Sequence, residues 1–323
     1  MTGTTIATGA ALFIIAVAPA VGQEPTRKCD WQQMSCTAGG VVGGFVVGPA
    51  GDVFAGTFDG GVFVTTDNGA SWRPRNEGLA GGNVTCMGIA DDGELFAGTY
   101  GLGVFRSNDG GASWIRCSVD PRTSEVTALA VTGTGSVIAG TSRDGLMVIG
   151  AHGTRAAGLS GKFINAIAVT PDGIIYAATA QHGVFRSRDD GATWVRLNLT
   201  VRNGEIRTVA VISRGTLFAG TNAGTICRSV DGGDHWTIVA RGPGGIGCIK
   251  EGTDGALYAG TRGGILRSVN GGDTWQRVTT GLRHIAVRTL TLTVDGNIFA
   301  GLIEGGIFRS APTQQDLLGA LAN

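Results

Sequence analysis

The sequence predicts an all-β fold, a seven-bladed β-propeller with four-stranded blades, the ring closed by the N-terminal strand joining the last blade. Three observations carry this expectation. A five-residue apolar motif recurs seven times, each copy 38 to 42 residues after the last; 57 of the 323 residues are glycine; and a tryptophan near the N-terminus stands one repeat ahead of the first repeating tryptophan. Periods of this size belong to solenoids and propellers. Short apolar runs separated by Gly and Asp turns, with no long stretch of helical period in the mature chain, make each unit β.

The motif reads Val53-Phe-Ala-Gly-Thr57, Leu95-Phe-Ala-Gly-Thr99, Val137-Ile-Ala-Gly-Thr141, Ile175-Tyr-Ala-Ala-Thr179, Leu217-Phe-Ala-Gly-Thr221, Leu257-Tyr-Ala-Gly-Thr261 and Ile298-Phe-Ala-Gly-Leu302. Within a unit a first apolar run such as Val126 to Val131 precedes the motif. A GVFRS-type strand such as Gly103 to Ser107 follows it, and a Trp-led segment such as Trp114 to Cys117 completes four strands. Four strands per repeat make a propeller blade. The β-branched and aromatic residues suit a pleated, half-buried surface.

Between the third and fourth strands a second signature recurs: Thr65-Thr-Asp67-Asn-Gly69-Ala-Ser71-Trp72, then Ser107 to Trp114 around Asp109, Ser187 to Trp194 around Asp189, Ser229 to Trp236 around Asp231, and Ser268 to Trp275 around Asn270. These five copies resemble the Asp-box, or BNR, repeat family, and the resemblance covers nearly all of the mature chain. It implies a propeller whose Asp-bearing turns sit at the outer rim, on the face away from any ligand. The Asp side chain accepts backbone N–H bonds within the turn, and the Trp packs between blades. Asp67, Trp72, Asp109, Trp114, Asp189, Trp194, Asp231, Trp236, Asn270 and Trp275 are therefore read as structural. So are the recurring arginines Arg106, Arg186, Arg228, Arg267 and Arg309, whose stems pack while the guanidinium points outward or bonds a turn.

Two units depart from the pattern. The third has no Asp-bearing turn, and the seventh stops at Phe308-Arg-Ser310. Trp31 stands 41 residues before Trp72, so the segment around it is expected to be the outer strand of the seventh blade. Closure from both ends removes open sheet edges. The expected organisation is a signal peptide over 1–22, a propeller over 23–310 and a tail over 311–323.

Residues 6 to 22, IATGAALFIIAVAPAVG, form an apolar stretch ending in small residues before Gln23. This reads as a secretory signal. A membrane anchor is the alternative, although the stretch is at the short limit for spanning and Gly and Pro interrupt it. The expected location is secreted or periplasmic, with no membrane span in the mature chain. Formal charge is zero and the Lys and Arg residues are scattered, which excludes the footprint of a nucleic-acid binder. Six cysteines are compatible with disulfides in an oxidising compartment or with small buried strand residues, and no CxxC spacing exists. No cofactor and no metal site are expected, and the chain is expected to be a monomer.

Function belongs where the units differ. The loops joining second to third strands carry Phe58 and Asp59, Tyr100, Arg143 and Asp144, Gln181 and His182, Asn222, Arg262, and Ile303 with Glu304. Loops between blades add Glu77, Asp120, Arg122, Lys162, Arg202, Glu205, Arg283 and His284. Asp59, Tyr100, Arg143, Asp144, His182, Arg262, His284 and Glu304 are the candidate ligand-binding ring, suited to a sugar or a peptide, against the plain reading of solvated loop residues.

Sialidases and xyloglucan-type glycoside hydrolases are similar in carrying these turns, which raises a hydrolase alternative. That chemistry requires an arginine triad with a Tyr–Glu pair, or two carboxyls about 5 to 10 Å apart. Tyr176 and Tyr258 hold the repeated second-strand position, so Tyr100, with Asp59, Asp144 and Glu304, supplies the only catalytic candidates. No FRIP-type arginine motif appears, and no long insertion builds walls around a mouth. The expectation is a ligand-binding or protein-interaction scaffold for a glycan, protein or peptide, with the hydrolase as alternative.

Overall fold

Each copy of the apolar motif forms the second strand of a sheet and is buried along its whole length, from Val53–Thr57 to Ile298–Leu302. In the computed structural model the described residues are 31–34, 40–79, 81–117, 125–150, 153–201, 205–278 and 286–310. Among them lie 28 strands in seven antiparallel four-stranded sheets, and no helix. Blade 1 spans 42–74, blade 2 84–116, blade 3 126–156, blade 4 164–196, blade 5 206–241 and blade 6 246–277. Blade 7 comprises 287–310 together with Trp31–Met34, which pairs antiparallel with Ile307–Ser310 in the register Trp31 to Ser310. The N-terminal segment thus closes the ring as the sequence predicts. The proposed signal and tail segments, Cys29, Cys36 and His284 lie outside the described residues.

Each position of the motif has a separate physical task. The seven first strands, Val42–Val47, Val84–Ile89, Val126–Val131, Ile164–Val169, Ile206–Val211, Ile246–Glu251 and Val287–Leu292, neighbour one another around the axis. The leading Val or Ile of six of them is seated on the motif glycine of the preceding blade, and Ile206 of blade 5 has Ala178 at that position. A Cβ on Gly56 would stand 2.5 Å from Val84, one on Gly220 2.6 Å from Ile246, and one on Gly301 2.6 Å from Val42. Glycine is required there by close approach. The motif threonine ties the following loop: the hydroxyls of Thr57, Thr99 and Thr179 donate to the carbonyls of Gly61, Gly103 and Gly183 at 2.7 to 2.9 Å.

The aromatic of the motif sits under the tryptophan of the next blade. Trp72 of blade 1 meets Phe299 of blade 7 edge-on at 6.0 Å, and Trp275 of blade 6 meets Phe218 of blade 5 at 6.2 Å. The Trp114 ring packs with Phe54, and its Nε1 donates to the carbonyl of Arg75 at 2.9 Å. Trp31 opens the closing strand, whereas the other five tryptophans stand one residue before their outer strands. Blade 3 brings no tryptophan. A groove of about 360 Å³ opens at Phe96 of blade 2, lined also by Arg106, Arg116 and Cys117.

Three of the five recurring arginines brace the next blade's Asp-bearing turn, while Arg267 donates to Tyr258 and Asp254 of its own blade. Arg186 donates to the Gly232 carbonyl at 2.8 Å and to Asp234 at 3.0 Å, and Arg228 to the Gly271 carbonyl at 3.0 Å and Asp273 at 2.6 Å. Arg309 reaches the Asn68 carbonyl across the closure. Arg106 faces the turnless blade 3, and among the described residues its charge meets Glu94 of its own blade, at 3.5 Å. Cys86, Cys117, Cys227 and Cys248 are free, buried thiols. Burial pushes Cys86 up to about 12 and the other three up to about 11. They behave as small apolar residues rather than nucleophiles.

Inside each Asp-bearing turn the bonding is reciprocal. The Asp109 carboxylate accepts from the Ser113 N–H at 2.9 Å, the Ser113 hydroxyl at 2.5 Å and the Ser107 hydroxyl at 2.7 Å, while Gly111 N–H donates to Ser107 at 2.9 Å. Asp67 and Asp189 repeat this set, and Asp231 substitutes the His235 ring for the hydroxyl. These bonds favour the ionised form. Asp67, Asp109 and Asp189 are drawn from 3.8 down to about 2, the side-chain hydroxyl of Ser71, Ser113 or Thr193 being the largest cause. Asp231 is lowered as well, chiefly by the His235 N–H.

Two outcomes follow for stability. Trp114→Ala, at a ring only 4% exposed, should cost about 3 to 5 kcal/mol. Tyr100→Ala, at a side chain 54% exposed, should leave the melting temperature nearly unchanged; equal losses in the two melts would refute the assignment of core and rim. The folded pKa of the turn carboxylates lies below the unfolded one. Their contribution is therefore complete above about pH 4 and is lost as the pH falls through about 2. Asn270 occupies the same turn in blade 6 without titrating, its amide donating to Thr274 at 2.9 Å. Replacing Asp67, Asp109, Asp189 and Asp231 together by Asn should flatten the decline in melting temperature between pH 5 and pH 2; an unchanged slope would place the acid sensitivity elsewhere.

Candidate functional site

At its second residue each first strand carries one residue too many for its neighbour. The register with the second strand shifts between Val42 and Gly44, and at the equivalent point in all seven blades. Such a bulge leaves the extra residue unpaired and re-aims its side chain. The seven extra residues are Gly43, Thr85, Thr127, Asn165, Arg207, Gly247 and Arg288, and all seven line one central cavity of about 670 Å³. A repeated backbone irregularity thus builds a ring of side chains about the axis.

Five of the seven positions are spent on the junction between blades. The Thr85 hydroxyl donates to the Val126 carbonyl, that of Thr127 to the Ile164 carbonyl at 2.5 Å, and the Asn165 amide to the Ile206 carbonyl at 2.7 Å. Each bond reaches the leading residue of the next blade. At Gly43 a Cβ would stand 2.4 Å from the Val84 carbonyl, and at Gly247 2.9 Å from that of Val287. There the next backbone takes the place of a side chain.

Arg207 and Arg288 make no such bond among the described residues. Arg207 approaches Glu205 at 3.9 Å, with both side chains about one-third exposed. For Arg288 no hydrogen bond or ion pair to a described residue is present. Arg288 is accessible to solvent yet enclosed by the channel wall, so the water that reaches it is the water of the cavity. Burial there, and then the Arg207 guanidinium, lower its pKa, while Glu125 opposes the shift. Burial raises the Glu125 carboxyl, partly offset by Arg288. Arg207, Arg288 and Glu125 thus stand together at the bulge ring of the cavity.

On the loop side Phe163, Ile303 and Arg262 complete the lining, and at the opposite end stand Lys250 and Glu251. Glu251 is committed to the Ser213 N–H and hydroxyl at 2.7 and 2.9 Å. Among the described residues no cluster of His, Cys, Asp and Glu is arranged to hold a metal ion, and no helix is long and apolar enough to cross a membrane.

Of the ligand-binding candidates named from the sequence, Arg262 lines the cavity. Asp59, Tyr100, Arg143, Asp144, His182 and Glu304 stand on loops of the same face outside its lining, and His284 lies outside the described residues. Tyr100 packs edge-on against Phe58 of the neighbouring blade at 5.9 Å, an exposed aromatic pair beside the mouth. Backbone groups of the others serve their turns: Asp59 N–H donates to Asn83 at 2.9 Å, Asp144 N–H to Thr141 at 2.8 Å and His182 N–H to Thr179 at 3.1 Å. Asp59, Asp144 and Glu304 belong to blades 1, 3 and 7, and the structure gathers none of them into the cavity. Sequence reasoning missed Glu125, Asn165, Arg207 and Arg288. The signal was the second position of the first strands, which reads Gly, Thr, Thr, Asn, Arg, Gly, Arg between neighbours that repeat.

No known protein family matches the sequence, and no curated protein matches it. Solved structures do share the fold. The extracellular domain of BT4673 from B. thetaiotaomicron superposes with a TM-score of 0.72 at 19% identity, over 88% of this chain and 40% of that one. This chain therefore spans about two-fifths of that extracellular domain's length. YCF48 bound to D1 peptide gives 0.72 at 18% identity, covering 89% and 98%. The GH74 xyloglucanase from Xanthomonas campestris gives 0.69 at 17% identity, covering 89% and 54%. The common ground is the seven-bladed propeller.

Proposed function

We propose that the chain is an exported Asp-box propeller that binds a ligand or partner through the mouth of its central channel, on the face opposite the Asp-bearing turns. The observation that carries this reading is the bulge ring. In a molecule whose strands and turns repeat, the inward column at the bulge varies from blade to blade and holds two arginines in a cavity of ligand size. The apolar segment over 6 to 22 supports export to a secreted or periplasmic location. The fold is compatible with both kinds of partner, since YCF48 has been solved with a peptide and the xyloglucanase is a glycan-active enzyme by name.

The hydrolase reading keeps one observation in its favour. Glu125 stands in the cavity with a carboxyl raised by burial, as a general acid requires. A retaining or inverting mechanism needs a second carboxyl facing it, and Glu251, the other carboxylate of the lining, is held by Ser213.

The discriminating experiment screens the purified chain on glycan and peptide arrays beside a fluorogenic glycosidase panel. Glu125→Gln and an Asp59, Asp144, Glu304 triple alanine variant serve as controls. Binding without turnover is expected. Turnover abolished in either variant would replace the binding reading with a hydrolase, and silence on every array would contradict it.

A further inference from the structure

The two arginines of the bulge ring make no bond to the next blade among the described residues, and the one ion pair they make there is that of Arg207 with Glu205 at 3.9 Å. At the same bulge, other blades use Thr, Asn or Gly to join the next blade. Arg207 and Arg288 instead place like charges within each other's field in a partly enclosed space, and Arg288 has no counter-ion close enough to pair with it among the described residues. Like charges held together with so little pairing mark a site completed by an anion.

The local charge balance narrows the ligand. Arg207, Arg262, Arg288 and Lys250 line the cavity against Glu125 and Glu251, and Glu205 approaches Arg207 at 3.9 Å, so four cations meet three carboxylates and the site is short of a single negative charge. A dianionic phosphate would exceed that and meet Glu125 as a repulsive neighbour. A planar carboxylate matches both the charge and the forked geometry of guanidinium. Apolar side chains supply part of the remaining wall, Phe163 and Ile303 on the loop side and Met87, Leu129 and Ile167 inside, beside the polar Asn165, Lys250, Glu251 and Arg262.

We infer that the channel is a binding site for a monocarboxylate with an apolar body, its carboxylate held by Arg207 and Arg288 and its body entering past Phe163 and Ile303. The inference rests on the channel mouth being the binding face, and it names the chemistry that the face recognises. It also makes a statement about stability that a structural role would not. Since the arginines repel each other in the empty channel, removing one relieves the free protein while disabling the bound one.

The test uses the full chain and phenylacetate as probe, with phenylacetamide and phenyl phosphate as controls at matched ionic strength. Binding is read from the side-chain Nε–H resonances of arginine, assigned by the variants Arg207→Gln and Arg288→Gln. Phenylacetate should shift the Arg207 and Arg288 signals saturably and phenylacetamide should not. Each variant should weaken binding by about tenfold or more, the ratio for one lost charge-assisted hydrogen bond. The melting temperature of the unliganded Arg288→Gln variant should be unchanged or raised. Absence of saturable shifts, tighter binding of phenyl phosphate, or a lowered melting temperature in Arg288→Gln would each overturn the inference. Array ligands that bind both variants as well as the parent would also overturn it while leaving the binding-scaffold reading intact.

Discussion

The leading Val or Ile of a first strand rests on the motif glycine of the blade before it, in six of the seven junctions, and every other feature of the ring depends on that seat. Only glycine, or Ala178 in blade 4, leaves the space. The contact fixes how far one blade is rotated from the next, and seven equal rotations bring Val42 onto Gly301. Tryptophans then fill outer gaps that the rotation opens, and Arg186, Arg228 and Arg309 tie their third strands to the following turn. The hierarchy runs from axis to rim, with buried apolar contacts inside and charge-assisted bonds outside, where water weakens them.

The bulge ring follows from the same geometry. Seating the leading residue on the neighbour's glycine pulls the start of each strand toward the next blade, and the extra residue is turned into the channel. Where that residue is Thr or Asn it bonds the neighbour's carbonyl, and where it is Gly the neighbour's backbone takes its place. Blades 5 and 7 forgo this use of the position for Arg207 and Arg288, so a site is carved from what is otherwise a seam. The tension is local, because the leading Ile206 and Val287 keep both blades seated whatever the second residue does.

Much of the architecture was legible because it repeats. Seven motifs, five Asp-bearing turns and the offset of Trp31 were enough to count blades and to place the closing strand. The turnless third blade was legible too, and its consequences at Phe96 and Arg106 follow once the bracing rule is known. The site was harder to read. Candidates were sought in the loops because loops differ most in sequence, and Arg262 was found that way. Arg207, Arg288 and Glu125 sit at or just before a strand's start, where residues of that kind are ordinarily taken as alternation on a half-exposed strand. Nothing in a single sequence says that the register shifts there. That shift is a property of blade-to-blade seating, which only the closed ring displays.

Closure is the claim on which both the fold and the channel rest, and it is tested most directly by amide hydrogen exchange of the intact chain against a Gln32→Pro variant. Proline removes an N–H from the closing strand and strains its pairing with blade 7. If the ring is one cooperative unit, protection should fall in the first strands of all seven blades, blade 4 included. Loss of protection confined to Ile307–Ser310 and its immediate neighbours would contradict the account, because the blades would then stand without the ring.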